Sequence, residues 1–417
     1  MNATAGGHRY NKLSQAQVDQ ICQKHERFVA CRPGGARASF AWCDLSGLSL
    51  RGRVLEDADF TAAILTDCDL SGAKLDKSNL YCADFQLANL MGASLRRTDL
   101  RGACLRGANL SGCDLYEADL REGALALPDR QAGLSYVEIS MRTSEATYAN
   151  LRGANLERSK LSGIQAMKAD FTDATMKSCK LIRANLKQAI MDNVDLAGAD
   201  LSGADFTGAS LKDAVLIGAK TDQMRTDQAD LSGVLTDKAI GTDVKALPYG
   251  DMLHDHALWV DTLGKQGKPS TFDNADLRAL GSIKGLNLTA LSAKGAVFYG
   301  LDMAGVQLQG AHLEEADLRN CNLKGADLRG VRMARARLDG ANLEGAKLGA
   351  LQIDATRQLP ADLRETRLRG VNFAAADLKL ARLDGADMSR ANLEGAVMKL
   401  EALEHVTCVG LRGRLAS

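Results

Sequence analysis

Large apolar residues return along this chain at an interval of five. From Leu45 to Leu120, all 16 positions in this frame are Leu or Phe, and 14 of the 16 positions two residues earlier carry Ala, Cys, Ser or Thr. The residue between them is often Asp or Asn, and Gly often follows two places after the Leu. A period of five matches neither an α-helix nor a continuous strand. It predicts short extended segments separated by turns.

The alternation of side chains along an extended segment assigns each residue of the repeat to a side. The large residue and the small residue two places before it face an interior, and the polar residue between them faces outward. Gly and polar residues supply the turns. One small and one large side chain fill a narrow core, which accounts for an aromatic content of only 4% in 417 residues.

This pattern resembles the pentapeptide-repeat family, whose unit reads A(D/N)Lxx. The unit stands here as Ala108-Asn109-Leu110-Ser111-Gly112, Ala199-Asp200-Leu201-Ser202-Gly203 and Ala326-Asp327-Leu328-Arg329-Gly330. The resemblance implies an all-β solenoid, namely a right-handed quadrilateral parallel β-helix with four repeats in each coil.

The five-residue frame is interrupted twice. It stops after Leu120 and resumes at Leu151, one residue out of phase, and a third run extends from about Ile283 to Leu403. The third run is predicted to pass through Gln358-Leu359-Pro360 in phase, because Ile353 and Leu363 are ten residues apart.

Two segments outside the repeats have helical periodicity. Ser14 and Gln17 form a capping box ahead of an apolar stripe that includes Val18, Ile21, Cys22, His25, Phe28 and Val29. The second helix is predicted from Tyr249 to Leu263. His25-x-x-Phe28-Val29 matches His256-x-x-Trp259-Val260, and each motif is followed by a Phe five residues before a Leu. This similarity predicts a duplicated module in which a short α-helix caps each β-helix, because the end of a solenoid exposes unpaired edges.

The predicted organisation therefore has two modules. It comprises a capping helix and loop (1–40), a first β-helix (41–240) with an inserted loop (121–150), a linker with a second capping helix (241–272), and a second β-helix (273–417).

The inserted loop is the candidate functional site. It carries apolar and basic residues that are candidates for contact with a partner, and long insertions in repeat proteins often form a binding face; the candidates are Leu125, Leu127, Tyr136, Val137, Ile139 and Arg142. An equally open interpretation is a neutral insertion that packs on the neighbouring face.

Catalytic, metal and cofactor motifs are not found in the sequence. Five of the ten cysteines occupy the small-residue position of the repeat, where Cys packs like a slightly larger Ala. The sequence has no CxxC pair, and His254-x-His256 has no third ligand at a suitable spacing. The expectation is a non-enzymatic protein that needs neither a metal nor a cofactor.

Charge and hydropathy narrow the range of partners. The 52 basic and 52 acidic residues leave no basic excess for nucleic-acid binding, and no long apolar segment indicates a membrane span. The preferred function is a cytoplasmic scaffold that binds proteins, with homodimerisation through the C-terminal coil as a further expectation. The alternative, taken from the resemblance, is a DNA-mimic-like protein that binds DNA gyrase or topoisomerase, as quinolone-resistance members of the family do. However, residues 44–120 carry a net charge of only −4, counted as 12 acidic and 8 basic residues.

Overall fold

The computed structural model describes residues 4–5, 8–128, 137–238, 242–243 and 248–416. The chain divides into two compact units, Met1–Lys238 and Ala239–Ser417. Each unit is built around its own apolar core.

Parallel ladders with a spacing of twenty residues form the body of the first unit. One ladder runs from Ser49 through Asp69 and Asn89 to Asn109, and three similar ladders occupy the other sides of the coil. Within a ladder, the N–H of Leu50 donates to the carbonyl of Asp69 at 2.7 Å, and the N–H of Asp69 donates to the carbonyl of Leu48 at 3.1 Å. This pairing satisfies the backbone of each coil through the coils on either side. The unit is therefore a four-sided parallel β-helix.

The core contains the residues that the five-residue frame assigns to the interior. Leu50, Leu65 and Phe85 are fully buried, as are the small residues Ala63 and Ala83 two positions before the latter two. Cys68 occupies a small-residue position, and its thiol donates to the carbonyl of Leu45 at 2.8 Å. Its burial raises the pKa of the Cys68 thiol to about 11, so the thiol remains protonated at neutral pH.

Three short strands and a helix precede the first coil. β1 (Thr4–Ala5) and β2 (His8–Arg9) form an antiparallel pair. They are followed by β3 (Asn11–Lys12), α1 (Gln15–Val29) and β4 (Cys43–Asp44). β4 belongs to the first coil, and β3 pairs with it in parallel. The predicted capping box at Ser14 and Gln17 is confirmed, with both reciprocal hydrogen bonds present. Val18 and Cys22 of α1 are buried in the core of this unit, whereas Phe28 and Val29 are exposed, contrary to the predicted stripe.

An antiparallel hairpin interrupts the first β-helix. Its strands are β5 (Gly123–Pro128) and β6 (Val137–Arg142). The parallel ladder resumes at Glu145, which pairs with Cys104, and Asn150 pairs with Asn109. Residues 145–150, which the sequence assigns to the inserted loop, therefore belong to the β-helix. The cause of the difference is Ala146, a small residue that fills a core position where the sequence pattern leads one to expect Leu or Phe.

The second unit repeats the strand–helix–strand order of β3, α1 and β4. β7 pairs in parallel with β8, and α2 lies between them in the chain; the bounds are Thr242–Asp243 for β7, Tyr249–Asp261 for α2 and Ala275–Asp276 for β8. A 3-10 turn at Arg278–Leu280 follows β8, and another at Leu400–Leu403 lies near the end of the β-helix. The ladders continue past that turn to Thr407 and Arg412.

A second, shorter hairpin interrupts the second β-helix. It consists of β9 (Leu351–Gln352) and β10 (Gln358–Leu359), and Arg332 pairs across it with Asp362 at an interval of thirty rather than twenty residues. The prediction that the repeat passes through this segment is wrong, because Ile353 lies in the hairpin and is 52% exposed. Ten extra residues preserve a period of five and so leave no sign in the sequence pattern.

Candidate functional site

The backbone of the first hairpin fixes the register of the candidate residues. Leu125 pairs with Ser140 and Leu127 with Glu138, whereas Val137 pairs with Pro128 and Ile139 with Ala126; Arg142 pairs with Gly123 at the root of the hairpin. Tyr136, the remaining candidate, lies outside the described residues. The structure therefore brings five of the six candidates together on one hairpin.

Tyr81, on the β-helix, holds the hairpin root. Its hydroxyl accepts a hydrogen bond from the N–H of Ala124 at 2.6 Å and donates one to the Ala124 carbonyl at 2.8 Å. The guanidinium of Arg101 lies 5.2 Å from the centre of the Tyr81 ring, and Arg101 itself forms a two-point contact with Asp99. A cation over the face of a ring is favourable. These contacts fix the first residues of β5 on the side of the coil.

Gly102 and Ser144 close the root of the hairpin where the chain leaves and re-enters the coil. The N–H of Gly102 lies 2.9 Å from both the carbonyl of Arg121 and the hydroxyl of Ser144, and that hydroxyl donates to the Arg121 carbonyl at 2.7 Å. A Cβ atom at Gly102 would lie 2.7 Å from the sulfur of Cys82 and 3.1 Å from the Cα of Gly123. Only glycine allows the hairpin to approach the coil this closely.

A row of corner residues beneath this region differs from the other corners of the β-helix. Trp42, Ala62, Cys82 and Gly102 follow each other at intervals of twenty, and all four have a positive φ. Ala62, Cys82 and Gly102 are buried, whereas corner residues elsewhere, such as Asp57, are exposed. Ala62 and Cys82 form a small apolar cluster outside the main core, against which Trp42 and Tyr81 pack. The absence of polar residues from this row of four is the sequence signal that could have located the buried corner.

The positive charge of Arg142, at the end of β6, acts on Tyr10 and on Cys82. Desolvation raises the pKa of the Tyr10 hydroxyl, and the positive charge of Arg142 opposes that shift. Burial likewise raises the pKa of Cys82 to about 11, again opposed by Arg142. The rings of Tyr10 and Trp42 are 6.1 Å apart. The end of β6 thus lies near the segment that precedes α1. Sequence reasoning did not identify Tyr10, Trp42 and Tyr81 as neighbours of the hairpin.

An exposed apolar surface occupies another corner of the same coils. Leu87, Gly107 and Tyr148 follow each other at the corner of successive coils, and Leu87 and Tyr148 are 62% and 59% exposed. The Leu87 side chain extends over Gly107, since a Cβ there would lie 2.9 Å from it. Met141 at the end of β6 is 64% exposed. We call Leu87, Gly107 and Tyr148 the apolar corner.

Neither a metal centre nor a membrane-spanning helix is found in the described part of the chain. There, no three His, Cys, Asp or Glu side chains are arranged to hold a metal ion. Among the same residues, no helix combines the length and the apolar character needed to cross a bilayer. All ten cysteines are free.

A four-sided parallel β-helix of five-residue repeats defines the class of the protein as a repeat solenoid. The sequence profile described as pentapeptide repeats matches the chain in eight copies, which together cover more than half of it; the matched residues are 54–92, 93–125, 149–188, 169–208, 189–220, 284–320, 311–349 and 361–399. The chain therefore belongs to the pentapeptide-repeat family. Membership implies the right-handed form of the β-helix.

Several solved structures are similar to this chain. HetL, a pentapeptide repeat protein involved in heterocyst differentiation regulation from Nostoc sp. strain PCC 7120, is 22% identical, with 73% of this chain and 89% of that chain covered and a TM-score of 0.25. Rfr23, from the cyanobacterium Cyanothece 51142, is 27% identical over 32% of this chain and 88% of that chain, with a TM-score of 0.25. QnrB1, a plasmid-mediated fluoroquinolone resistance protein, is 19% identical over 53% of this chain and 95% of that chain, with a TM-score of 0.28. No curated protein sequence matches the chain significantly.

Proposed function

We propose that this protein is a non-enzymatic scaffold that binds a protein partner through the hairpin of β5 and β6 and the adjoining apolar corner. The observation that carries the proposal is the combination of a fixed root with exposed apolar groups. Tyr81 ties Ala124 to the coil through two hydrogen bonds, while Met141 and Leu87 remain largely exposed. A rigid support lowers the entropy lost when such groups are covered by a partner.

The β-helix suits this role because it presents long flat faces with little freedom to rearrange. Each coil is bonded to both neighbours through its backbone, and large apolar groups at its corners are rare. Contiguous exposed apolar surface on a protein commonly marks an interaction site. We place the scaffold in the cytoplasm, because its many free cysteines suit a reducing compartment.

Deletion of the hairpin tests this function directly. Cys104 and Glu145 pair at an interval of 41 residues, which is 21 more than in a regular coil. Deleting Glu122–Arg142 removes these 21 residues and leaves Leu120 and Ala146 five residues apart. Affinity capture from native extract should recover a partner with the intact chain and lose it with this deletion. Retention of every partner by the deleted form, shown to be folded by circular dichroism, would refute the role of the hairpin.

A matched pair of leucines tests the apolar corner. Leu87 and Leu380 are both corner residues with positive φ and are 62% and 60% exposed, but Leu380 lies in the second unit. Leu87→Ser should weaken capture of the same partner, and Leu380→Ser should leave it unchanged. Equal loss in both variants would indicate non-specific apolar binding instead of a defined site.

We further propose that α1 and α2 cap the starts of the two β-helices. Val18 and Cys22 are buried against the first core, and Met252 of α2 packs against the second. Covering the first coil hides apolar core and unpaired edges that otherwise promote aggregation.

We also propose homodimerisation through the C-terminal coil, which the exposure of Leu400 and Val409 supports. A monomeric mass in analytical sedimentation would overturn it.

Binding of gyrase as a DNA mimic has weaker support. Duplex DNA carries one negative charge per ~1.7 Å, whereas the outward carboxylates of this chain are extensively paired with arginine, as at Asp99 with Arg101 and Asp327 with Arg329. A gyrase supercoiling assay in the presence of a quinolone measures the alternative, and protection by this protein would favour it over the scaffold proposed above.

A further inference from the structure

Arginine residues of the repeat commonly neutralise their own coil. Whenever the sequence Asp-Leu-Arg occurs in the repeat, the arginine two residues after the aspartate folds back and contacts it; the six pairs are Asp99 with Arg101, Asp119 with Arg121, Asp276 with Arg278, Asp317 with Arg319, Asp327 with Arg329 and Asp362 with Arg364. Two-point contacts of this kind fix the guanidinium and cancel the charge locally. Other arginines of the β-helices lie outside this arrangement.

Arg332 and Arg382 are two of these arginines, and they flank one of the six pairs. Both occupy ladder positions next to Asp362, one on each neighbouring coil, so their Cα atoms lie roughly 10 Å apart at ~4.8 Å per coil. Both side chains are exposed, and within the described residues neither makes a hydrogen bond or salt bridge. The Asp362 carboxylate between them is already engaged by Arg364, with contacts of 2.8 and 2.7 Å. After Arg364, the charge of Arg382 also helps to lower the pKa of Asp362, but in the part of the chain that the structure describes neither Arg332 nor Arg382 is held by a direct contact to a carboxylate, so both can reach another anion.

These arginines line a groove in the second unit. The groove has a volume of about 430 Å³, and its wall includes Leu359 and Pro360 from the end of the second hairpin. We call it the arginine groove, defined by Glu314, Arg332, Ala334, Leu359, Pro360, Asp362, Arg364 and Arg382. The ten-residue hairpin therefore places an apolar wall beside a face on which two arginines make no salt bridge to any described residue.

Glu314 favours an acidic peptide over a free inorganic anion as the occupant of the groove. Its Oε2 atom is buried and, among the described residues, has no hydrogen-bond partner. A buried acceptor without a donor is costly, and a peptide backbone supplies N–H donors that a free inorganic anion lacks. The groove thus combines sites for two anionic side chains, an apolar side chain and a backbone N–H.

We propose that the arginine groove binds an extended, acidic segment of a partner protein. Side chains at every second residue of an extended peptide point the same way, about 6.6 Å apart, which lets two flexible arginines each reach one carboxylate. Leu359 and Pro360 contact an apolar residue of the segment, and Glu314 accepts a backbone N–H. This site is separate from the hairpin of β5 and β6, so the two proposals can fail independently.

The test uses the full chain and a fluorescent peptide with glutamate at every second position, followed by anisotropy at low and high salt. We expect saturable binding that weakens with salt. Arg332→Gln and Arg382→Gln should each weaken it roughly fivefold, the upper range for an exposed ion pair. Deleting 351–360, which removes the apolar wall and restores the five-residue interval from Leu348 to Leu363, should weaken it further.

Three controls make the outcome decisive. Arg335→Gln removes the same charge from the same coil, but Arg335 contacts Glu365 and is outside the groove, so it should have no effect. Combining Arg332→Glu with Arg382→Glu should transfer binding to a peptide with lysine in place of glutamate. No saturable binding of the glutamate peptide, an equal effect of Arg335→Gln, or displacement of the peptide by an equal concentration of inorganic phosphate would overturn the proposal.

Discussion

The backbone N–H of Ala38 donates a 3.0 Å hydrogen bond to Nδ1 of the fully buried His25. The second unit repeats this contact, with the N–H of Ser270 at 2.9 Å from Nδ1 of the equally buried His256. An acceptor at Nδ1 requires the neutral imidazole with its proton on Nε2. Each loop that joins a helix to the first coil is therefore fastened by an imidazole that cannot be protonated at Nδ1 without losing this bond.

These histidines should make both units sensitive to mild acid. Burial lowers the pKa of His25 and of His256 below the ordinary value of 6.5, although the nearby carbonyls of Glu56 and Thr289 oppose the shift. The unfolded chain takes up protons at a higher pH than the folded one, so stability is fully present above 6.5 and falls as the pH drops through that value towards the folded pKa. Denaturant unfolding measured between pH 8 and pH 5 should show this loss.

Substitution of one imidazole isolates its contribution. His25→Asn keeps an acceptor close to the position of Nδ1 and removes the titration, so the stability of the first unit should depend less on pH. His254→Asn, on α2 and two residues from His256, serves as the control and should leave the pH profile unchanged. An unchanged profile with His25→Asn would show that this histidine does not govern the acid response.

Glycine at the hairpin root should be more constrained than glycine at an open corner. Gly102 and Gly112 have φ values of 68° and 67°, but a Cβ at Gly112 has no atom within 4 Å, whereas one at Gly102 would clash with Cys82. Gly112→Ala should cost about 1 kcal/mol of unfolding free energy for its backbone alone. Gly102→Ala should cost a further ~1–3 kcal/mol from overpacking, measured by denaturant unfolding. Equal costs would mean that the root relaxes freely.

Loss of the Tyr81 hydroxyl should loosen the hairpin without unfolding the β-helix. Tyr81→Phe removes both hydrogen bonds to Ala124, each worth roughly 1 kcal/mol. Hydrogen exchange at Ala124 should accelerate, while exchange in the ladders stays slow. Tyr116→Phe is the matched control, because the Tyr116 hydroxyl contacts Arg158 instead of the hairpin. Faster exchange throughout the first unit would instead assign Tyr81 a general structural role.

The length of the hairpin deletion should determine whether the coil survives. Removing Glu122–Arg142 leaves Ser144 two residues before the core residue Ala146 and restores the repeat. Removing Gly123–Arg142, one residue fewer, leaves the chain one residue too long for the corner. We expect thermal unfolding of the first form close to that of the intact chain and a clearly lower transition for the second. Equal transitions would indicate that the corner tolerates an extra residue.

The two interruptions show how far the five-residue pattern can be interpreted. The first insertion is visible in the sequence after Leu120, because 21 extra residues break the five-residue period. The point where the coil resumes is not visible, because Ala146 stands where a Leu or Phe is expected. The ten residues of the second hairpin are two repeats long, so Ile353 falls in frame while lying outside the core. The five-residue period shows whether a residue fits a repeat. The side of the coil on which that residue lies depends on its position within the twenty residues of a full coil.

The repeat, the interior residues and the presence of both helices can be predicted from the amino-acid sequence, because they follow from short-range alternation and periodicity. The sequence also shows that His25 and His256 occupy equivalent positions, but not that each accepts a backbone hydrogen bond at Nδ1. Three relationships are visible only in the folded chain: β3 and β7 pair with the first coils, Tyr81 holds Ala124, and Arg332 and Arg382 flank Asp362. These contacts join residues tens of positions apart in the chain, and their partners are selected by the stacking of coils and by insertions of different length, neither of which a local pattern contains.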